Sequence, residues 1–153
     1  MPPRYITGPD AMLGGLDIIL SLTPEETELL GADARQLSAS FHELLLTLTH
    51  LRREGLLAPE ETEDRAVIAE YYRESLVALA RTLQPRLAGT VDAAIRAHAE
   101  RGGTIADLTR ALDVPRSTAQ SRRKVVTTAP PSPWEMWAAT PNKNPDTNTQ
   151  ESR

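Results

Sequence analysis

Apolar residues recur at helical spacing between Leu30 and Leu51, and this feature most limits what the chain can fold into. Two sets at seven-residue intervals form an a/d heptad pattern: Leu30, Leu37, Leu44 and Leu51, and between them Ala34, Phe41 and Leu48. Heptads occur in coiled-coil dimers and also in globular helix bundles. Further leucines, such as Leu45 and Leu46, widen the apolar face, which favours a bundle over a bare zipper.

Part of the same face is expected to join two chains, because the apolar stripe is larger than a short helix needs. The candidate residues for a homodimer interface are Leu30, Leu37, Phe41, Leu44, Leu48 and Leu51. A parallel, zipper-like dimer and a helix packed in a bundle both remain open at this point.

Composition narrows the class of protein further. The chain of 153 residues is 40% hydrophobic but only 4% aromatic, and it contains no cysteine. Disulfides, thiol nucleophiles and sulfur-ligated zinc are therefore excluded. No metal site, no cofactor and no enzymatic motif is predicted. Without a membrane-length apolar run or a signal-peptide cleavage pattern, the chain is expected to be cytoplasmic and not to bind membranes.

Turn and capping signals divide the chain into four parts. Residues 1–22 are predicted to be a partly disordered lead-in, and residues 23–84 a helical scaffold that begins at the cap Thr23. Its second helix is predicted to run from Pro59 or Glu60 to about Leu83, where Pro85 breaks it. Residues 85–128 are predicted to form a compact helical unit with a first helix over about 90–101. Residues 129–153 are predicted to be a disordered Pro-rich tail. The predicted fold class is therefore all-α: an N-terminal helical bundle or hairpin, a three-helix unit and a tail.

The stretch from Gly102 to Val126 holds the most informative pattern. Thr104 and Asp107 indicate a capped helix start, and Asp113-Val114-Pro115 indicates a three-residue turn. A second short helix follows from Arg116, with the small residue Ala119 on its inner side. Two short helices joined by a tight turn, the second basic and polar, suit the major groove of DNA.

This segment resembles the helix-turn-helix of bacterial transcriptional regulators, with Leu112, Val114 and Arg116-Ser117-Thr118 matching the family pattern. Asp113 stands where the family usually has glycine, and Arg122 where it usually has an apolar residue. The resemblance implies base contacts from Arg116, Ser117, Gln120, Ser121 and Lys124. It implies backbone contacts from Thr104, Arg110, Arg122 and Arg123.

The charge distribution supports the same prediction. The chain has a net charge of −4, yet residues 85–128 carry eight basic against four acidic side chains. A basic block within an acidic chain indicates a local anion-binding surface. We therefore predict a sequence-specific, DNA-binding transcriptional regulator of a bacterium that binds double-stranded DNA as a homodimer.

Two other functions stay open. A protein-interaction module, such as an adaptor or a sigma-factor-binding protein, would use the Leu-rich helix and the tail, where Trp134 and Trp137 are candidate docking residues. Those tryptophans alternatively fold back onto the chain's own helices, because the core lacks aromatic residues. A role in plasmid or phage maintenance would use the same DNA contact.

Overall fold

The computed structural model describes residues 2–54 and 65–141, which are mainly helical. The chain divides into two compact units, of which the first comprises residues up to 34 and the second residues 35–140. In the described ranges, no helix is both long and apolar enough to cross a bilayer.

The first unit contains a β-hairpin that the sequence did not predict. Strands β1 (Arg4–Thr7) and β2 (Leu16–Ile19) pair antiparallel, with Tyr5 opposite Ile18. A short 3₁₀ turn, Gly8–Asp10, follows β1. The expectation of a partly disordered lead-in is therefore wrong over residues 4–19, and the all-α prediction holds only as a mainly helical fold.

A glycine separates the first two helices. Helix α1 (Pro24–Leu30) begins at the predicted cap Thr23, where the Thr23 hydroxyl and the Glu26 carboxylate form a reciprocal capping box. Helix α2 (Ala32–Glu54) starts after Gly31, whose φ of 52° is readily adopted only by glycine. Leu30 therefore belongs to a different helix from the other residues of the heptad pattern.

A long helical rod opposes α2 in the second unit. It consists of α3 (Arg65–Leu76), a π-helical segment (Val77–Leu83) and α4 (Gln84–Glu100). The rod lies antiparallel to α2, since Gln36 bonds Arg86 near one end and His50 contacts the Tyr71 ring near the other. The predicted start of this second helix, at Pro59 or Glu60, lies outside the described residues.

The predicted break at Pro85 is wrong. Pro85 lies in the first turn of α4 and the backbone remains helical through Gln84, whose φ and ψ are −57° and −48°. Proline removes one donor from a helical ladder and crowds the preceding turn. The wider π turns just before it change the hydrogen-bond spacing at this place, so the rod continues without ending.

Three short helices complete the second unit. Helix α5 (Ile105–Leu112) and helix α6 (Arg116–Thr128) follow α4, and α7 (Pro133–Ala139) packs along α4. The prediction of a disordered tail is wrong for residues 133–139, while residues 142–153 lie outside the described ranges.

Candidate functional site

The second half of α4 forms a compact core with α5 and α6. Its buried side chains are Ile95 of α4, Leu108 of α5, and Ala119 and Val126 of α6, with Leu112 and Val114 packed against them. Ala119 is fully buried. Because its side chain is only a methyl group, α6 can lie close to its neighbours at this point. Burial of these few side chains fixes the direction in which the opposite face of α6 points.

Local backbone chemistry shapes the connection between α5 and α6. The Thr104 hydroxyl accepts a 3.1 Å hydrogen bond from the Asp107 backbone N–H and donates one of 2.6 Å to the Asp107 carboxylate. That hydroxyl bond is the principal reason why the pKa of Asp107 is lowered. At the other end of α5, Asp113 takes φ and ψ of 50° and 47°, the left-handed conformation in which glycine is common. Asparagine and aspartate tolerate this region better than other non-glycine residues, so the turn forms with Asp113.

The five predicted base-contacting residues lie together on the outside of α6. Arg116, Ser117, Gln120, Ser121 and Lys124 are all exposed. None of these side chains makes a hydrogen bond or ion pair with another residue in the described part of the chain. Positions three, four and seven residues apart share a helix face, so the face presents two cations, an amide and two hydroxyls together.

The four predicted backbone-contacting residues have different surroundings. The Thr104 hydroxyl caps α5, and the exposed Arg110 lies 3.5 Å from Asp107. Arg122 is half-exposed, 3.5 Å from Asp92 of α4. Arg123 is partly buried, and its Nη1 donates a 2.7 Å hydrogen bond to the carbonyl oxygen of Gly103.

Gly103 is also restricted by a second neighbour. A Cβ placed on Gly103 would lie 2.2 Å from Cε1 and Nε2 of His98. The imidazole therefore occupies the space that any other residue at position 103 would need. The loop between α4 and α5 is held by this close packing and by the bond from Arg123.

Helix α7 is attached to α4 by a buried ion pair and by aromatic contacts. The Arg96 guanidinium bonds the Glu135 carboxylate, which is 5% exposed, and also donates to the carbonyl oxygen of Ala129 at 3.0 Å. These bonds lower the pKa of Glu135, mainly through its hydrogen bond with Arg96, and raise that of Arg96.

The two tryptophans lie on the chain's own surface. The Arg86 guanidinium stands 5.0 Å and 5.3 Å from the Trp134 and Trp137 ring centroids, and the two rings meet edge to face. Gly89 allows the approach, because a Cβ there would lie 2.5 Å from the Trp134 backbone. This packing agrees with the alternative in which the tryptophans fold back, and docking of a partner by Trp134 and Trp137 stays a prediction.

Sequence reasoning missed Arg96, Glu135 and Gly89. A signal for α7 was present, since Ser132, Pro133 and Glu135 have the spacing of a capping box with proline in the first turn. Nothing in the sequence indicated that Glu135 would pair with a residue 39 positions earlier.

The site offers hydrogen-bonding and charged groups on a rigid helix. In the described residues, no group of three or more His, Asp or Glu side chains is placed to hold a metal ion. No family model matches the chain, and neither a curated protein nor a solved structure is significantly similar to it.

Proposed function

We propose that the protein is a sequence-specific DNA-binding transcriptional regulator, of the bacterial helix-turn-helix kind, that reads the major groove with α6. The observation that carries this proposal is the outer face of α6, where five polar or basic side chains stand exposed, with no partner among the described residues, above a buried apolar core. The major groove is about 12 Å wide and admits one α-helix.

The chemistry of that face suits base edges. Arginine can donate two hydrogen bonds to guanine, and glutamine can bond adenine through both its donor and its acceptor. Arg116 and Gln120 supply these two groups one helical turn apart. Ser117, Ser121 and Lys124 add shorter or more flexible contacts to bases or phosphates.

Phosphate contacts come from the exposed basic groups around this face. Arg110 and Arg122 fit the role because their ion pairs, at 3.5 Å, are long and solvent-exposed, and Lys124 fits it because it is exposed. Exposed pairs contribute little free energy, so phosphate oxygens can replace them. Three phosphates neutralised per chain, one by each of these groups, give a slope of log K against log salt of about −2.7. In a homodimer, two copies of α6 would contact half-sites about one helical turn of DNA apart.

The proposal is tested by selecting bound sequences from a random duplex pool and then measuring affinity by fluorescence anisotropy. We expect wild type to enrich one sequence and to bind it more weakly as salt rises. Arg116→Ala should relax the preference at one base pair, at a cost of about 1–3 kcal/mol. Arg122→Ala should weaken binding to all sequences alike and reduce the salt slope by about 1.

Thr128→Ala is the matched control, because Thr128 is exposed near the far end of the same helix, where its hydroxyl bonds the Lys124 carbonyl oxygen. Its affinity and selected sequence should equal those of wild type. The proposal fails if the protein enriches no sequence and its binding does not depend on salt.

A further inference from the structure

Helix α2 turns its apolar residues away from the helix that it packs against. The side that faces the rod is polar, since Ser40 and Thr47 are buried there and the Ser75 hydroxyl donates a 2.8 Å hydrogen bond to the Glu43 carboxylate. Ser75 itself is only 2% exposed. A helix of a self-contained monomer has the opposite arrangement, with its apolar side inward.

The apolar residues of α2 form a stripe beside its rod-facing side, which we call the outward stripe and of which Leu37 and Leu44 are partly buried. Its members recur at three- and four-residue intervals: Leu37, Phe41, Leu44, Leu45 and Leu48. Phe41 is 54% exposed, Leu45 45% and Leu48 37%. Scattered exposed leucines are ordinary, but a contiguous apolar patch of this kind marks a surface that another molecule covers.

The two stretches outside the described ranges offer little apolar material to cover the outward stripe. Residues 142–153 contain no apolar side chain larger than proline, and residues 55–64 contain two leucines and one alanine. The stripe extends over twelve residues, or about 16 Å of helix. An occupant must therefore supply a comparable row of large apolar side chains, and α2 of another copy does so.

The outward stripe is complementary to itself when two copies of α2 run antiparallel. In one register Leu37 lies opposite the partner's Leu48 and Phe41 lies opposite the partner's Leu44, so these four positions meet apolar ones, and Leu45 lies at the edge of the contact. Asp33 in the first turn of α2 is then near the end that carries Arg52 and Arg53 in the other copy. A parallel arrangement would bring the two arginine pairs together and set the helix dipoles side by side in the same direction.

We infer that the outward stripe binds the same stripe of a second copy, antiparallel, and that two helix pairs thereby form a four-helix bundle. The two copies would be related by a two-fold axis across α2, so the interface closes on itself and assembly stops at the dimer. A bundle of this kind encloses its apolar side chains between the layers, which neither helix pair achieves alone. The inference rests on α2 and does not depend on DNA binding.

A pair of leucines in α2 gives a matched test in the absence of DNA. Leu48 and Leu46 have almost the same exposure, 37% and 38%, but Leu46 is two positions away and so points about 160° away from Leu48. By light scattering after gel filtration, wild type at 100 µM should have twice the 16.8 kDa chain mass. Leu48→Glu should weaken the dimer by about 100-fold, because symmetry buries two unpaired carboxylates. Leu46→Glu should remain dimeric.

Folding of both variants is checked by circular dichroism and thermal melting. If Leu48→Glu does not fold, Leu45→Ser serves as the second stripe variant, and it too should weaken the dimer. A monomeric wild type, or equal dissociation of the Leu46 and Leu48 variants, would overturn the inference. Because no step uses DNA, its failure is distinct from failure of the proposed function.

Cysteine cross-linking tests the relative orientation of the two α2 helices. Only introduced cysteines can react, because the chain has no cysteine of its own. A mixture of Leu37→Cys and Leu48→Cys chains should form the mixed disulfide under mild oxidation. Leu48→Cys alone should not cross-link, because the two Leu48 positions of an antiparallel pair are about 16 Å apart, beyond the reach of a disulfide. Efficient cross-linking of Leu48→Cys with itself would show a parallel pair and overturn the antiparallel assignment.

Discussion

Arg123 of α6 donates a 2.7 Å hydrogen bond to the carbonyl oxygen of Gly103, in the loop that precedes α5. The bond joins the end of α4 to the middle of α6 across 20 residues of sequence. Its neighbour Lys124 is exposed and makes no such bond with a described residue. Two adjacent basic side chains on one helix therefore have different surroundings, and this difference can be measured.

Arg123→Ala should destabilise the fold, whereas Lys124→Ala should not. Loss of a partly buried, charge-assisted bond leaves the Gly103 carbonyl without its donor, and we expect the melting temperature to fall by about 5 °C. Lys124→Ala should melt like wild type and bind DNA more weakly. Calorimetry and anisotropy on the two variants check this, and equal melting temperatures would contradict it.

Gly89→Ala should displace α7 from α4. The added Cβ would meet the Trp134 backbone at 2.5 Å, and neither backbone can give way cheaply. Both tryptophans of the chain lie in α7, so their fluorescence should shift to longer wavelength as the rings enter water. Ala94→Ser adds an atom at an exposed position of the same helix, and its spectrum should match that of wild type.

Acid should release α7 in wild type but not in a variant without the carboxylate. The pKa of Glu135 is lowered in the folded chain, chiefly by its hydrogen bond with Arg96. The ionised pair therefore stabilises the fold above the unfolded-state pKa of about 4.3, and this stabilisation is lost as pH falls through the lowered folded-state pKa. Tryptophan emission titrated from pH 7 to pH 2 measures the release.

Glu135→Gln is the reference for that titration. Its α7 should be less firmly attached at pH 7, and its emission should change little between pH 5 and pH 2. A variant that titrates like wild type would show that another carboxylate controls the attachment of α7.

Asp113 tests the backbone of the turn. Asp113→Gly should leave stability nearly unchanged or raise it slightly, because glycine adopts positive φ without steric cost. Asp113→Val should lower the free energy of unfolding by about 1–2 kcal/mol, since a β-branched residue is strained at φ 50°. Chemical denaturation of both variants gives the comparison, and a valine variant as stable as wild type would contradict it.

The region around α5 and α6 was predictable because its signals are local. Thr104 caps α5, Asp113 adopts the turn conformation and Ala119 is buried, each as the sequence indicates. In each case the determining interaction spans a few residues, or follows from the size of one side chain. The predicted cap does not form a full capping box, because the short Asp107 side chain bonds the Thr104 hydroxyl instead of the Thr104 backbone N–H.

The remaining features depend on contacts between distant residues. The hairpin has strands of only four residues, too short for alternation to be recognised, and its order depends on pairing such as that of Tyr5 with Ile18. Pro85 is tolerated because of the π-helical segment before it, which no sequence rule indicated. The heptad pattern favoured a helix that packs in a bundle by its apolar face, and it could not reveal that Ser40 and Thr47 would face the rod.

The helix from Arg65 to Glu100 is continuous, so a rotation at one end is transmitted to the other. Tyr71 lies near one end and Ile95 near the other. Because the backbone between them is continuous helix, the number of intervening residues sets the angle between their side-chain directions about the helix axis. One residue inserted between them would turn one end by about 100° relative to the other and lengthen the helix by about 1.5 Å. The number of residues in this segment therefore fixes the relative rotation of its two ends, whereas substitutions that keep the helix intact leave that rotation unchanged.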